Sequence, residues 1–307
     1  MELNENAEID TSQIDDQRSS GGGGGGGIGG LPIGGGGLTG IIVTVLIALV
    51  GGYFGINTLG GSDSGSTQTG DNTSLTQKCS ESDATKQLDC RNTLFVNSIQ
   101  DYWTDAYPQN FDGSYKPAKT TLFANRVNTG CGAADSGVGP FYCPADDKVY
   151  IDLSFYDVLA QQLGAPGEFA QPYVLAHEYG HHIQDLAGTE AAMRRQQERD
   201  PDQANALSVK LELQADCYAG AWAKNATGTD TASGKKIFKS ITTQDIEEGL
   251  QTASKIGDDT LQQQSGGTVN PAEFTHGTSA QRQQWFSEGY KSGSPKSCDT
   301  FAAGAVS

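Results

Sequence analysis

The stretch GAPGEFAQPYVLAHEYGHHIQDLAG, Gly164 to Gly188, decides how the rest of the chain is read. After Gly164, Ala165 and Pro166 a helical pattern runs from about Glu168 to Leu186, and Gly188 is placed to cap it. Inside that helix His177-Glu178-Tyr179-Gly180-His181 has the form HExxH. Histidines four residues apart share one helical face and can reach one metal ion, and the glutamate between them falls beside it. A zinc ion held this way polarises a carbonyl and lowers the pKa of its water, while Glu178 is placed to take that water's proton and pass it to a leaving amine. The motif predicts hydrolysis of peptide bonds, with Zn2+ as the cofactor.

A catalytic zinc usually takes three protein ligands and keeps one position for water. The metzincin extension needs glycine at position 184 and histidine at 187, where this chain has Gln184 and Ala187. On the next long helical pattern, Glu212-Leu213-Gln214-Ala215-Asp216 places two carboxylates on one face. Glu212 is the expected third ligand, completing a His177, His181, Glu212 set, and Asp216 is expected to accept from the far nitrogen of a ligand histidine. His276, the one histidine outside the HExxH region, is a catalytic candidate that can stabilise the oxyanion, with a capping or core role as the alternative. His182 follows His181 directly and points about 100° away around the helix, so a supporting or structural role is expected. Tyr150, Tyr173 and Tyr179 can each assist the transition state, and nothing in the sequence chooses among them.

Outward from this centre, Leu94, Phe95, Ile99, Tyr102 and Trp103 recur at helical spacing within Asn92 to Tyr107. KVYIDL, Lys148 to Leu153, reads as a strand, either the edge to which an extended peptide adds or an interior strand. A helix follows near Val158, and others cover about Gln203–Lys224, Thr243–Lys255 and Ser279–Tyr290. The fold class is α+β, a helix-rich zincin-like domain with a small sheet.

Toward the N-terminus the character changes. Residues 1–37 are acidic and then glycine-rich, a composition expected to stay disordered. Residues 38–56, LTGIIVTVLIALVGGYFGI, carry no charge and match the roughly 20 residues of a membrane-crossing helix. A cleaved signal peptide fits less well, because no positive region precedes the apolar run. Residues 57–78 read as a flexible stalk and 79–307 as the metallopeptidase domain. All six cysteines lie after the apolar run, which suggests disulfides in an oxidising compartment and puts that domain outside the cytoplasm, with residues 1–37 inside. Nearest neighbours pair as Cys79 with Cys90, Cys131 with Cys143 and Cys217 with Cys298, one of several connectivities that six cysteines allow. A formal charge of -17, from 20 basic and 37 acidic residues, with no basic cluster, argues against a nucleic-acid partner. The partners expected are a peptide or protein substrate and the membrane.

Long blocks of this chain resemble the neutral zinc metallopeptidases of bacteria, often called the YpfJ family. They are Phe141–Tyr156, Gly164–Leu186, Leu211–Ala223, Asp245–Leu250, Phe274–Arg282 and Cys298–Phe301, behind a glycine-rich tail and one apolar segment. The resemblance implies a bacterial cell-membrane endopeptidase, and by analogy with other HExxH enzymes a gluzincin whose third ligand maps to Glu212. The acidic N-terminal tail departs from the family, whose members carry more basic residues there. The competing expectation is a zincin-fold protein, tethered to the membrane, that binds partners without turnover.

Overall fold

The computed structural model describes residues 1–18, 72–80, 84–231 and 233–306. Two short strands, β1 (Glu2–Leu3) and β2 (Ile14–Asp16), precede helices α1 (Thr73–Cys79) and α2 (Leu88–Asn110). Strand β3 (Lys119–Phe123), the hairpin β4 (Arg126–Thr129) and β5 (Gly132–Asp135), and strands β6 (Phe141–Cys143) and β7 (Lys148–Asp152) come next. The remainder is mostly helical: α3 (Phe155–Gln161), α4 (Ala170–Leu186), α5 (Thr189–Arg199), α6 (Ala204–Asn225), strand β8 (Phe238–Ser240), α7 (Thr243–Lys255), α8 (Asp258–Gln264) and α9 (Ser279–Ser292). The architecture is helix-rich α+β, as the periodicities predict, with three small sheets among the described residues.

The centre is a layer in which α4, α6 and α9 lie against one another. Leu94, Phe95, Ile99 and Trp103 of α2 are fully buried, so the apolar stripe read from the sequence is a core face. The α6–α9 crossing is close enough that a Cβ on Gly289 would stand 1.9 Å from the Cys217 carbonyl oxygen. Capping boxes begin both α7, at Thr242 with Asp245, and α9, at Thr278 with Gln281. Gly188 ends α4 in the left-handed conformation that glycine adopts without steric penalty.

The main sheet has the order β2-β3-β7-β6, with β2, β3 and β7 parallel and β6 antiparallel to β7. β7 is therefore an interior strand, bonded on both sides, and no peptide can add to it as to an edge. Its central residues Val149, Tyr150 and Ile151 are buried, so the alternation that reads as a half-exposed strand belongs to one between neighbours. The free edges of this sheet are β2 and β6.

The expected disordered tail is the larger correction. Residues 19–37 lie outside the described residues, but residues 1–18 are packed on the domain. Ile14 is fully buried, and Ile14, Asp15 and Asp16 pair with Thr120, Thr121 and Leu122 of β3. Asp15 meets Lys148 at 2.8 Å, and Arg18, itself bonded to Asp16, reaches Asp89 at 3.1 Å. The Asn72 side chain accepts from the Asp16 N–H at 2.9 Å and donates to the carbonyls of Thr11 and Ile14. An acidic composition suggests disorder only while its carboxylates lack partners, and here Lys148, from a distant part of the chain, and the neighbouring Arg18 supply them. The expected stalk, 57–78, is corrected at its end: α1 begins at Thr73 and buries Leu75. The apolar run 38–56 also lies outside the described residues, and among those described no helix is long and apolar enough to cross a membrane.

The disulfides are Cys79–Cys90, Cys131–Cys143 and Cys217–Cys298, the nearest-neighbour pairing, and no cysteine is free. A docked tail makes a measurable demand. Ile14→Ala should cost about 2–4 kcal/mol in denaturant unfolding, as a buried isoleucine does, whereas unchanged stability would show that residues 1–18 are not part of the folded unit.

Candidate metal centre

Helix α4 presents His177 and His181 on one buried face, their ring centroids 4.9 Å apart. Helix α6 runs alongside and brings Glu212 to them. Glu212 Oε2 is 3.1 Å from His177 Nε2, and Oε1 is 3.5 Å from His181 Nε2. The three ligand atoms lie within 4.8 Å of one another, a group that could hold one metal ion. The donor set, two imidazoles and one carboxylate, suits zinc with a position left for water.

Orphaned polar atoms give an independent test of that fit. Buried polar atoms are nearly always hydrogen-bonded, yet His181 Nε2, Glu178 Oε2 and His276 Nε2 are buried without a hydrogen-bond partner. Among the described residues these are three of nine such atoms, and these three belong to residues read from the sequence as ligand, proton acceptor or oxyanion donor. Burial would raise the Glu212 carboxyl, but attraction from His181 and His276 overcomes it and holds the group well below the ordinary glutamate range. Glu212 thus stays an anion inside the protein, as a ligand must.

Supporting contacts orient the ligands. Asp216, fully buried, accepts from His177 Nδ1 at 2.8 Å, from the Tyr173 hydroxyl at 2.6 Å and from two nitrogens of Arg282 at 2.8 and 3.0 Å. Burial would raise its carboxyl as well, but Arg282 and His177 push it down to about 2. An ionised Asp216 keeps the His177 proton on Nδ1 and leaves Nε2 bare toward the metal position. Arg282 is fixed in turn by the Ile256 carbonyl, 3.1 Å from Nη1. His181 has a different partner, the Gln184 side chain, whose Oε1 is 2.9 Å from Nδ1.

Glu178 shares this buried pocket. Burial lifts its carboxyl above the ordinary value, while His177 and His181, and to a smaller extent the backbone of Tyr142 on the edge strand β6, act in the opposite direction. His276 sits on the loop before α9, with Nδ1 3.0 Å from Thr275 Oγ1 and 3.3 Å from Asp258 Oδ1. Asp258 Oδ2 accepts the backbone N–H groups of Thr275, His276 and Gly277 at 2.7, 2.7 and 3.0 Å, which clamps that loop.

The remaining candidates separate cleanly. His182 bonds to the Lys116 carbonyl and lies 3.1 Å from the Tyr142 hydroxyl, a structural role on the far side of the helix. Tyr179 meets Thr120, and Tyr150 meets Asp146, so of the three tyrosines only Tyr173 joins the histidine network. Sequence reasoning missed Arg282, Gln184, Asp258 and the Tyr142 N–H. A signal existed for two of them, since Gln184 lies one turn beyond His181 and Arg282 ends the FTHGTSAQR block that holds His276.

The sequence signature of a family described as "Putative neutral zinc metallopeptidase" matches residues 3–301. The chain belongs to that family. Members of this zinc metallopeptidase family include the uncharacterized protein YpfJ of Escherichia coli (strain K12), 42% identical over 272 residues, 88% of each chain. An uncharacterized protein of Mycobacterium tuberculosis (strain H37Rv) is 43% identical over 231 residues, 75% of this chain and 76% of its own. No solved structure matches. The match spans residues 3–301 and so includes most of the docked tail, and zinc is the metal that the family and the donor set share.

The paired charges behind His177 can be tested apart from the fold. Asp216→Leu alone should destabilise the protein by about 3–5 kcal/mol, because Arg282 is left buried and unpaired. Adding Arg282→Leu should recover most of that loss, while chelator competition still finds zinc held about 10–100-fold more weakly. Parent-like zinc affinity in the double variant would show that the pair serves stability alone.

Proposed function

We propose that the protein is a zinc-dependent endopeptidase of the gluzincin type, held at a bacterial membrane through residues 38–56, with His177, His181 and Glu212 as ligands. The observation that carries this reading is the convergence of three ligand atoms within 4.8 Å beside a glutamate whose carboxylate oxygen is buried and unpartnered. When bound, zinc polarises the scissile carbonyl and acidifies the attacking water.

The chain's own residues supply the rest. Glu178, made more basic by burial, takes the proton from the attacking water and delivers it to the departing amine. Asp216 keeps His177 in one tautomer throughout. His276, held with Nδ1 3.3 Å from the Asp258 carboxylate, offers Nε2 to the oxyanion.

The test uses the full-length protein in detergent, with zinc content and cleavage of an unfolded protein such as casein as readouts. One zinc per chain is expected in the parent. Glu178→Gln should lower turnover by about 10²–10⁴-fold with zinc retained, and Glu212→Ala should lose zinc. His276→Ala should reduce kcat by about 10²–10³-fold without changing metal affinity. Stoichiometric zinc with no cleavage of any peptide would overturn the enzymatic reading in favour of a binding protein.

A further inference from the structure

We propose that Gln184 is a positioning residue for the metal centre: its amide, oriented from α6, determines which nitrogen of His181 faces the metal. The claim rests on the metal reading above and concerns a residue outside the ligand set. Gln184 Nε2 lies 2.6 Å from the Leu211 carbonyl oxygen. A carbonyl oxygen only accepts, so the amide nitrogen must point there and Oε1 must face His181. Gln214 repeats the logic one step back: its Nε2 donates to the Cys298 carbonyl at 2.9 Å, which turns its Oε1 toward Gln184 Nε2 at 3.2 Å.

With an acceptor 2.9 Å away, a neutral His181 carries its proton on Nδ1, which leaves the Nε2 lone pair for the metal, and Nε2 has no hydrogen-bond partner. The order of constraint runs from the Cys298 carbonyl through Gln214 and Gln184 to His181. Its first member is anchored to α6 by the Cys217–Cys298 disulfide. An ionised carboxylate at position 184 would still accept from His181 but would confront the Leu211 carbonyl, whereas the amide satisfies both neighbours.

The test is zinc affinity by chelator competition, with the visible spectrum of the cobalt-loaded full-length protein as a second readout that does not depend on activity. Gln184→Met keeps the volume and removes the acceptor, and should weaken zinc about 10–100-fold and shift the cobalt bands while metal-free melting stays near that of the parent. Gln184→Glu restores an acceptor and should recover part of the affinity. Parent-like affinity and an unshifted spectrum in Gln184→Met would overturn the proposal, as would equal losses in the two variants. A parent protein that takes up no zinc would instead sink the metal reading itself.

A separate observation bears on the membrane. We infer that residues 1–18 and the metallopeptidase domain lie on the same side of any membrane that residues 38–56 engage, so the chain does not place its tail and its domain in different compartments. Strand β2 is hydrogen-bonded into the domain's main sheet next to β3, Ile14 is fully buried, and the Asn97 side chain bonds the backbone of Asp10 in both directions, at 2.9 and 3.0 Å. These contacts join residues before the apolar run to residues after it, and no bilayer can lie between two strands of one sheet.

Thr11 and Thr76, from the two sides of the run, have hydroxyls 2.7 Å apart. Since every native cysteine is paired, Thr11→Cys with Thr76→Cys adds the only two free thiols. In the full chain, carrying a protease site after Gly27 and expressed in bacterial cells, the N-terminal piece should remain disulfide-linked to the domain after cleavage until reductant is added. A pair that never bonds, with one single-cysteine variant labelled by a membrane-impermeant maleimide in intact cells and the other only after lysis, would overturn the inference.

Discussion

Helices α4 and α6 can share one metal ion because Gly180 has no side chain. A Cβ there would lie 2.9 Å from the Cα of Ala215 and 3.0 Å from its Cβ, closer than real Cβ contacts come. Gly180 is an interior position of HEYGH and Ala215 an interior position of ELQAD, so the two motifs touch through the residues their consensus leaves free. This approach is what brings Glu212 within hydrogen-bonding distance of His177 and, one turn on, Asp216 to the far side of the same ring. A larger residue at position 180 would separate the helices and remove ligand and support together.

The buried charges follow from that geometry. A zinc ion with one carboxylate ligand leaves a net positive centre, and a buried ion needs counter-charge or strong dipoles nearby. Asp216 provides an anion behind His177, but a lone buried carboxylate would be costly, and Arg282 neutralises it through two hydrogen bonds. Behind His181 there is no second cation in contact with the supporting residue, and the partner there is a neutral amide. The two histidines thus have different supports for one electrostatic reason: a second carboxylate would require a second buried guanidinium.

Much of this was legible in the sequence. The helix Thr243–Lys255 was delimited correctly because Thr242 and Asp245 form its capping box locally, and α4, α6 and α9 were placed within a few residues by their periodicity. The His177, His181, Glu212 group was readable because helical spacing converts sequence intervals into shared faces. What escaped were contacts between distant segments. Asp15 reads as one acid of a polar tail until Lys148 is seen against it, and Arg18, which bonds Asp16 locally, reaches across to Asp89 of α2. The interior position of β7 depends on β3 and β6 flanking it, and nothing within KVYIDL records which strands lie alongside. Gln184 was noticed only as a mismatch to another motif, since its role needs the Leu211 carbonyl on a different helix.

Two of the three disulfides fall at the outer parts of the site. Cys143 ends β6, the strand whose Tyr142 N–H meets Glu178, and its bond to Cys131 ties that edge to the β4–β5 hairpin. Cys298, whose carbonyl orients Gln214, is bonded to Cys217 of α6, closing a separation of 81 residues. In the chain-entropy account a loop of that size is worth about 4 kcal/mol and the two short ones about 3 kcal/mol each. The third bond, Cys79–Cys90, joins α1 to the start of α2, where Lys78 and Asp89 receive the tail through Arg18. Each bond secures a segment that lies around the central helices. Reduction should therefore loosen the rim of the site before the α4–α6 pair that holds the ligands, because that pair is kept together by close packing at Gly180 and by the buried bonds of Asp216 to His177 and Tyr173, not by a cross-link.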